Sequence, residues 1–312
     1  MMNKTNLNQG LAPTITRAAS AQTYYTIRFL ADRERAADAY RAYAYFRWVD
    51  DALDTEAGLG CDRSVFINRQ FSLLERCYRG ESIRDATIEE QMLIGLIQRD
   101  TEKNGGLQSY LRNMMAVMAF DASRRGRLIS QSELNDYTRW LASAVTEAMH
   151  YFIGHDCYSP QNEARYLAVT AAHITHMLRD TRDDIQAGYF NIPREVLDAN
   201  HITPHNIQSD AYRAWVRSRV QLARTYFKAG RQYLNQVESF RCRLAGFAYT
   251  ARFEGILDSI EQDEYLLRAS YPERKDLFAR MHAVGSVFPS LCIQHGIQPV
   301  LEPVPVRQRS SR

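Results

Sequence analysis

The sequence predicts an all-α protein that folds as a single helical bundle. Two observations support this prediction: apolar residues recur at helical spacing along most of the chain, and turn-forming residues are few, with 15 glycines and 9 prolines in 312 residues. Hydrophobic residues make up 45% of the chain, which is enough to bury a sizeable core and excludes a disordered protein. Because no linker or internal repeat divides the chain, we expect one helical domain over residues 21–290.

Nine stretches carry the helical pattern, and helix-breaking residues lie between them. In chain order, the stretches are Leu30–Leu53, Phe66–Tyr78, Glu89–Lys103, Leu107–Ser123, Ser132–Phe152, Ala164–Ala187, Ala211–Val237, Phe240–Glu261 and Tyr271–Val287. The segment Ala57–Gly60 separates the first two stretches, and the pair Gly105–Gly106 separates the third from the fourth. Ser159–Pro160 precedes the sixth stretch, and Pro193 and Pro204 precede the seventh.

Both ends of the chain are expected to be tails outside the core. Residues 1–20 are polar and weakly patterned, which predicts a flexible N-terminal tail. Residues 291–312 end in the sequence PVLEPVPVRQRSSR, which is rich in proline and then basic, and this composition predicts a C-terminal tail. We expect neither tail to carry chemistry.

Charge and cysteine content limit the partners and the compartment. The 39 lysines and arginines against 36 acids leave a net charge of +3, which is too balanced for a protein that binds nucleic acid, so we expect no nucleic-acid partner. The five cysteines form no close pairs, which favours a reduced, cytoplasmic protein. No run approaches the roughly 18 apolar residues of a spanning helix, although a peripheral membrane contact is compatible with the sequence. The sequence does not indicate an oligomeric state.

Three aspartates, Asp50, Asp51 and Asp54, end the first helical stretch after an apolar and aromatic run. At 3.6 residues per turn, Asp50 and Asp54 lie on one helix face a turn apart and repel each other unless a cation compensates them. Aspartate is also a poor former of helix interiors, so the cluster favours such a cation. Carboxylate oxygens suit Mg²⁺, which is held by few carboxylates and completes its shell with water and phosphate oxygens.

A second acidic cluster lies in the sixth stretch. His176, Asp180 and Asp184 follow one another at steps of four residues, and Asp183 lies beside them. This spacing again places a row of metal-binding side chains on one helix face.

An arginine lies close to each cluster, Arg47 near the first and Arg179 near the second. Carboxylates that hold metal beside arginines that bind oxyanions are what diphosphate chemistry requires, because the leaving group is multiply charged. Each cluster alone is equally compatible with a solvated helix face carrying local Arg–Asp pairs. Two clusters that both follow apolar stripes favour a shared site inside the bundle.

These segments resemble the motifs of the squalene and phytoene synthase family. The residues TYYTIRFL (23–30) and YAYFRWVDDALD (43–54) resemble the first motif, and LRDTRDDIQAG (178–188) followed by Ile192–Pro193 resembles the second. The likeness extends over roughly residues 20 to 280. It implies a single-domain isoprenoid synthase bundle with a central prenyl-diphosphate cavity. It also implies head-to-head (1′-1) condensation of two farnesyl or geranylgeranyl diphosphates through a cyclopropyl diphosphate, with Mg²⁺, or Mn²⁺ in its place, as the cofactor.

The resemblance also implies roles for individual residues. The metal-binding acids implied are Asp50, Asp54, Asp180, Asp183 and Asp184. The catalytic residues implied are Asp50, Asp54, Asp180 and Asp184, together with Arg47 and Arg179. The substrate-binding residues implied are Thr23, Tyr24, Tyr43, Arg47, Asp51, His176 and Arg179. For the aromatic residues Tyr45, Phe46 and Trp48, core packing is the favoured interpretation.

The sequence departs from the family pattern at several positions. His173 and His176 stand where the second motif commonly has Gln and Asn, and a neutral histidine prefers softer metal ions than an amide oxygen does. Tyr189 and Asn191 stand where Arg and then Tyr are usual. The segment Ala142–Thr146 (ASAVT) replaces both small glycines of the usual Ala-Gly-x-Val-Gly, so we expect a narrowed prenyl channel.

Three other functions are compatible with the sequence, and the product of the reaction is also open. No dinucleotide-binding fingerprint occurs, so the sequence does not support NADPH binding, and it is at least as consistent with a non-reductive product as with a reductive one. The nearest alternative is an enzyme of the same fold, a terpene cyclase or prenyltransferase, that acts on one prenyl diphosphate. A second alternative is a helical protein that holds iron or zinc through His173, His176 and nearby acids, and a third is a non-catalytic assembly factor.

Overall fold

A computed structural model describes residues 4–54, 62–102 and 104–271. Within these residues the protein has eleven α-helices and no β-strand, which confirms the predicted all-α class. The helices are α1 (Lys4–Ala19), α2 (Ala21–Leu30), α3 (Ala36–Asp54), α4 (Arg63–Tyr78), α5 (Ile88–Ile97), α6 (Gly106–Arg124), α7 (Gln131–Phe152), α8 (Ala164–Ala187), α9 (Arg194–Asn200), α10 (Asp210–Leu234) and α11 (Phe240–Gln262).

Local capping explains where several of these helices begin and end. Thr87 and Glu90 form a reciprocal capping box at the start of α5, as do Ser130 and Glu133 at the start of α7. Helix α8 ends at Gly188, whose φ of +86° is a left-handed conformation that glycine adopts without strain. These caps satisfy backbone groups that would otherwise lack a partner at the helix ends.

The centre of the bundle is built by α3, α6, α7, α8, α10 and α11, whose apolar faces form one continuous core. Helices α8 and α10 approach very closely, because a Cβ atom on Gly230 would lie 2.7 Å from the Cβ atom of Ala168. Tyr45 and Phe46 are buried in this core and Trp48 packs against it, which confirms their interpretation as packing residues.

The prediction of a flexible tail over residues 1–20 is wrong from Lys4 to Ala19, which form α1. Ala12 and Thr16 of this helix are buried, and α1 packs against α3. The mostly polar composition of this segment did not indicate a helix. One narrow apolar face is nevertheless enough for a helix to pack into a core.

The first predicted helix, Leu30–Leu53, is also wrong at its start, since α2 ends at Leu30 and α3 begins only at Ala36. The break is stabilised by Asp32, whose carboxylate accepts hydrogen bonds from the backbone N–H groups of Gly154 and His155 and from Arg241. These partners are more than a hundred residues away in the sequence, so helical periodicity could not indicate them.

Other boundaries differ by less. The third predicted stretch extends to Lys103, whereas α5 ends at Ile97. The seven-residue helix α9 was not predicted; it begins directly after Pro193, a residue compatible with a helix start but not with its interior. Nearly all of Tyr271–Val287 and the predicted tail over residues 291–312 lie outside the described residues.

None of the described helices is both long and apolar enough to cross a membrane. The thiols of Cys77, Cys157 and Cys242 are free.

Candidate active site

The C-terminal end of α3 carries the first acidic row, Asp50, Asp51 and Asp54. Arg47 lies one turn earlier, with its Nη1 atom 3.6 Å from Oδ2 of Asp50, and it donates a short hydrogen bond to Asp51. Burial alone would lower the pKa of Arg47, but the adjacent carboxylates raise it above its ordinary value. Asp50 is buried, whereas Asp51 and Asp54 are exposed. The row therefore extends from the interior of the bundle to its surface.

The C-terminal half of α8 carries the second acidic row, Asp180, Asp183 and Asp184. Arg179 donates two hydrogen bonds, of 2.6 and 2.7 Å, to the carboxylate of Asp180, and the Nε2 atom of His176 lies 3.2 Å from the same carboxylate. Asp180 and Asp184 are half-buried, whereas Asp183 is exposed. The predicted neighbours Arg179 and His176 are thus brought together around Asp180.

A buried polar bridge holds Asp184. Nδ2 of Asn191 donates a 2.6 Å hydrogen bond to Oδ2 of Asp184, and Oδ1 of Asn191 accepts a 2.8 Å hydrogen bond from Nη1 of Arg124. Arg124 ends α6 and donates a further 2.7 Å hydrogen bond to Asp121. Its guanidinium lies 4.9 Å from the centre of the Tyr189 ring. We call Arg124 and Asn191 the Arg124–Asn191 bridge.

Electrostatic effects connect this bridge to both acidic rows. Burial raises the pKa of Tyr189, and the negative charges of Asp121 and Asp54 raise it further. The negative charge of Asp184 is one of the effects that raise the pKa of Arg124. The carboxylate of Asp54 on α3 therefore lies within electrostatic range of Tyr189, and that of Asp184 on α8 lies within range of Arg124 at the end of α6.

The sequence alone does not indicate that these bridging residues belong to the site. Arg124 and Asp121 belong to a helix with no acidic motif, and Arg124 is 67 residues from Asn191. A signal was present at Tyr189 and Asn191, which depart from the family pattern directly after the second acidic row.

The two histidines have different surroundings. His173 is buried, its ring centre lies 4.9 Å from that of Tyr137, and burial lowers its pKa well below the ordinary value, so it is neutral. His176 is half-buried and contacts Asp180. Among the described residues, no group of three or more His, Cys, Asp or Glu side chains is arranged to hold a metal ion. The chain therefore offers no preformed iron or zinc centre in that part.

The donor chemistry of the acidic rows fits a hard divalent cation. Both rows present carboxylate oxygens, and the arginine and amide partners hold these oxygens in place on two helices. Mg²⁺ is commonly bound through one or two carboxylates per ion, with water and phosphate oxygens completing the shell. A site of this kind does not need a preformed cluster of three protein ligands.

An apolar cavity of about 60 Å³ lies inside the bundle, next to the first acidic row. It is lined by residues of α2, α3, α6, α7 and α11 and by the segments after α2 and α7: Thr23, Thr26, Ile27, Ala31, Ala39, Ala42, Tyr43, Tyr110, Val145, Ala148, Met149, Phe152, Ile153, Ala245 and Tyr249. Tyr43 lies one turn before Arg47, so this end of the cavity faces the acidic row. Ala31 and Ile153 line the cavity from the segments after α2 and α7, which lie near the N-terminal end of α3 and so away from the acidic row at the other end of that helix.

Of the predicted substrate-binding residues Thr23, Tyr24 and Tyr43, Thr23 and Tyr43 line this cavity. Thr23 is buried there, and Tyr43 lies within hydrogen-bonding reach of it. Tyr24 instead packs its ring against Tyr40, with a centre-to-centre distance of 5.6 Å, and against Arg17.

Comparison with known proteins shows the relationship that this arrangement suggests. The sequence profile of squalene/phytoene synthases matches residues 16–277, which is most of the chain. The chain belongs to the squalene/phytoene synthase family. The resemblance predicted from the two acidic motifs is thereby confirmed, and membership identifies this family member as an enzyme that transfers prenyl groups. Enzymes of the family generally depend on a divalent metal ion.

The chain is similar in sequence to several other proteins. It is 26% identical over 259 residues to phytoene synthase of Thermus thermophilus, an alignment that covers 80% of this chain and 82% of the relative. It is 24% identical over 185 residues to presqualene diphosphate synthase of Zymomonas mobilis, covering 59% of this chain and 60% of the relative.

Solved structures of related enzymes share the fold. Squalene synthase HpnC from Alicyclobacillus acidocaldarius superposes with a TM-score of 0.66 at 18% identity, covering 84% of this chain and 95% of that one. A dehydrosqualene synthase superposes with a TM-score of 0.59 at 14% identity, covering 89% and 98%. These similarities confirm the predicted isoprenoid synthase bundle.

Proposed function

We propose that this family member condenses two prenyl diphosphates, farnesyl or geranylgeranyl, head to head with loss of diphosphate, and that it requires Mg²⁺. The observation that best supports this proposal is that acids of both rows lie near the Arg124–Asn191 bridge: Asp54 acts electrostatically on Tyr189, whose ring lies beside Arg124, and Asp184 is bonded to Asn191. An apolar cavity, lined by Tyr43, begins two turns before Asp50 on α3. Such a site combines a binding surface for a diphosphate–metal complex with a dry environment for a hydrocarbon chain.

The metal-binding acids in this proposal are Asp50 and Asp54 on α3 and Asp180 and Asp184 on α8, with the exposed Asp183 in support. When bound, Mg²⁺ neutralises charge that develops on the diphosphate as the carbon–oxygen bond breaks. The protein contributes carboxylates whose orientation is maintained, since Asn191 restrains Asp184 and Arg179 restrains Asp180.

The arginines of the two rows bind diphosphate oxygens in this proposal. Arg47 and Arg179 pair with aspartates of their own helices, which keeps both guanidinium groups charged and oriented toward the acidic rows. If a metal ion were bound, it would offset the charge of these aspartates, and each guanidinium could then donate hydrogen bonds to oxygens of the diphosphate. Arginine suits this role because its planar fork of N–H donors matches phosphate oxygens.

The cavity residues hold the hydrocarbon chains. Tyr110, Phe152 and Tyr249 supply aromatic faces that stabilise a developing carbocation, and the apolar walls exclude water that would quench it. Met149 is flexible enough to move when a chain enters. Val145 of the ASAVT segment lines the cavity, and Thr146 is buried on the same helix, so in this proposal the segment shapes the prenyl channel.

The test is incubation with one prenyl diphosphate at a time, with Mg²⁺, Mn²⁺ or EDTA and with or without NADPH, followed by counting the carbons of the product. We expect a product with twice the substrate's carbons, formed with Mg²⁺ and without NADPH. A product with the same number of carbons would instead support the single-substrate alternative, a cyclase or transferase of the same fold. No turnover with either substrate under any of these conditions would support the non-catalytic alternative.

Substitutions in the acidic rows test whether these aspartates are required for turnover. Asp54→Asn and Asp184→Asn each lower turnover by at least about a thousandfold in this proposal, because the metal loses a ligand beside the leaving group. Asp198→Asn, an exposed acid on α9, is the matched control and keeps full activity. Helical content and melting temperature stay close to the wild-type values in all three variants, since two of these acids are exposed and the third is only half-buried.

We also propose that the enzyme contacts a lipid bilayer through an exposed aromatic patch, which comprises Tyr25, Phe29, Tyr158 and Phe240. Phe29 and Phe240 are 60% and 67% exposed, although large aromatic side chains are usually covered. Tyr25 and Phe29 stack with ring centres 6.1 Å apart on α2. Arg241, next to Phe240, donates a 2.8 Å hydrogen bond to the carbonyl group of Leu30, which joins α11 to the end of α2.

Charge at the same place favours an anionic membrane surface as the partner. Arg28 lies 6.0 Å from the Phe29 ring and Arg243 lies 5.9 Å from the Phe240 ring. Arginines that border exposed aromatic rings are typical of surfaces that insert into the headgroup region. The far end of the cavity, at Ala31, directly follows α2, so a hydrocarbon product would leave the protein close to this patch.

A further inference from the structure

A second concave region, separate from the apolar cavity, lies between α7, α8 and α10. It has a volume of about 490 Å³, which is within the range of small-molecule sites. Its polar walls include Asn135 and Ser143 on α7, Tyr166 on α8, and Arg219 and Tyr226 on α10. No residue lines both this cleft and the apolar cavity. We call it the α10 cleft.

Arg219 distinguishes the α10 cleft from an ordinary surface depression. Its side chain is half-buried, and among the described residues it has neither an ion pair nor a hydrogen bond. By contrast, the buried guanidinium groups of Arg124 and Arg165 each pair with a carboxylate, that of Asp121 and that of Glu147.

Electrostatics support the same distinction. For Arg124 and Arg165 the neighbouring acids outweigh burial and raise the pKa, whereas burial lowers the pKa of Arg219. A guanidinium group taken partly out of water without an anion is unfavourable, because burial of a charge costs free energy that a counter-charge must offset. The fold retains this group at the wall of a cleft large enough for a ligand.

The rest of the wall indicates what kind of anion fits. The amide of Asn135 uses its oxygen to accept a hydrogen bond from Gln131, so its N–H donors are directed elsewhere and can bind an anion. Leu167, Ile174 and Leu222 supply an apolar surface in the same cleft. A single guanidinium group matches one carboxylate or phosphate group rather than a highly charged diphosphate.

The second arginine of the cleft does not provide another binding group of this kind. Arg139 lies at the rim, is exposed, and already pairs with Asp136 at 2.8 Å. Glu163 also lines the cleft and disfavours additional negative charge on the ligand. The charge balance of the lining is therefore suited to a ligand with one anionic group.

We propose that the α10 cleft binds a small organic monoanion, whose carboxylate or phosphate monoester group pairs with Arg219 and whose apolar part packs on Leu167 and Leu222. The binding does not depend on a metal or on the acidic rows. It is therefore independent of the prenyl-transfer proposal, and failure of one leaves the other unaffected.

The experiment uses the full chain in EDTA, with hexanoate and hexyl phosphate as probes and with hexanol and inorganic phosphate as partial probes. We expect saturable 1:1 binding of at least one hexyl anion by calorimetry, and at least tenfold weaker binding of hexanol and of inorganic phosphate. Arg219→Gln weakens binding of the hexyl anion at least tenfold, whereas the rim control Arg139→Gln changes it less than threefold.

A second variant separates loss of the charge from loss of the cleft. Ser143→Phe fills the cleft and abolishes binding while Arg219 is retained, and Arg219→Gln keeps wild-type prenyl-transfer activity. Absence of saturable binding to wild type, or equal binding by wild type and Arg219→Gln, would overturn the proposal. Binding that Ser143→Phe leaves intact would also overturn it, because the anion would then lie outside the cleft.

Discussion

The side-chain amide of Asn191 donates a 2.6 Å hydrogen bond to the carboxylate of Asp184, the last acid of the second row. The amide oxygen of Asn191 is held in turn by Arg124 at 2.8 Å, so the amide cannot rotate without losing a charge-assisted hydrogen bond. Asp184 therefore keeps one oxygen oriented by the protein. Groups that orient metal-binding carboxylates in this way are a common determinant of metal affinity.

Replacement of Asn191 by Ala is expected to lower kcat/KM by about tenfold to a hundredfold, the usual effect of removing a partner of a metal ligand. The Mg²⁺ concentration that gives half-maximal activity rises by a similar factor, because Asp184 loses its orientation. Activity measured over a Mg²⁺ titration checks this expectation. Asn200→Ala, which removes an exposed amide bonded only to its own helix, is the control and leaves the titration unchanged. An unaltered Mg²⁺ dependence in Asn191→Ala would contradict the role assigned to the bridge.

The acidic rows could be predicted from the sequence because their spacing is a property of a single helix. Asp50 and Asp54, or Asp180 and Asp184, are four residues apart, and helical geometry alone places them on one face. The Arg124–Asn191 bridge could not be predicted in this way, because it depends on how α6 meets the end of α8. The pairing of two distant helix ends follows from tertiary packing, on which local spacing carries no information.

The helices, too, could be predicted only where local spacing determines them. The long amphipathic helices α7, α8, α10 and α11 were predicted to within a few residues, since their apolar stripes repeat over several turns. Helix α1 was missed because its apolar stripe is weak and its stability comes from packing against α3. The break between α2 and α3 was missed because the residues that stabilise Asp32 come from the end of α7 and the start of α11.

Gly230→Ala is expected to destabilise the protein by about 1–3 kcal/mol, because the added methyl group would overlap Ala168 and force α8 and α10 apart. The separation also displaces the second acidic row, so activity falls together with stability. Urea unfolding and turnover of the same preparation check both effects. Gly95→Ala is the matched control, since the nearest atom to its added Cβ is a flexible arginine end at 3.9 Å. The control should be neutral or up to about 1 kcal/mol more stable, because alanine favours a helix interior.

The stability of the protein is expected to fall in mild acid through His150. Burial, followed by the positive charge of Arg165, lowers its pKa from 6.5 to about 4. The folded state thus keeps His150 neutral, whereas the unfolded chain binds a proton below about pH 6.5. Unfolding takes up this proton between about pH 6.5 and 4, so the free energy of unfolding decreases as the pH falls, by on the order of 3 kcal/mol over the window.

Urea unfolding between pH 4.5 and 7 measures this slope. In His150→Gln the free energy of unfolding should depend less steeply on pH, because about one fewer proton is taken up on unfolding. Its stability at pH 7 also changes, because the 3.1 Å contact with the Tyr233 hydroxyl is altered. His205→Gln, at an exposed position, should leave the slope as in wild type. Burial lowers the pKa of His173 in the same direction, so the doubly substituted protein should show the smallest slope. Identical slopes in wild type and His150→Gln would contradict this assignment.

The far end of the apolar cavity should limit the length of the accepted prenyl chain. Ala31→Leu adds bulk at this end, and we expect it to lower kcat/KM for geranylgeranyl diphosphate relative to farnesyl diphosphate by about tenfold. Ala31 is only half-buried, so the larger side chain is tolerated without loss of the fold. The ratio of the two kcat/KM values is the measurement, and Ala21→Leu at an exposed position of α2 is the control. An unchanged ratio would show that the hydrocarbon chain does not reach Ala31.

The aromatic patch is expected to bind anionic vesicles. The double variant Phe29→Ala/Phe240→Ala should reduce sedimentation with vesicles containing phosphatidylglycerol by at least tenfold, because two exposed rings no longer enter the headgroup region. Val65→Ala/Ile88→Ala removes apolar side chains of similar exposure, 58% and 55%, on α4 and α5, and should bind as wild type does. Binding should also weaken with added salt and with neutral lipid, because the arginines beside the patch contribute an electrostatic attraction that ions screen. Equal loss in both double variants would show that general surface hydrophobicity, rather than this patch, mediates the contact.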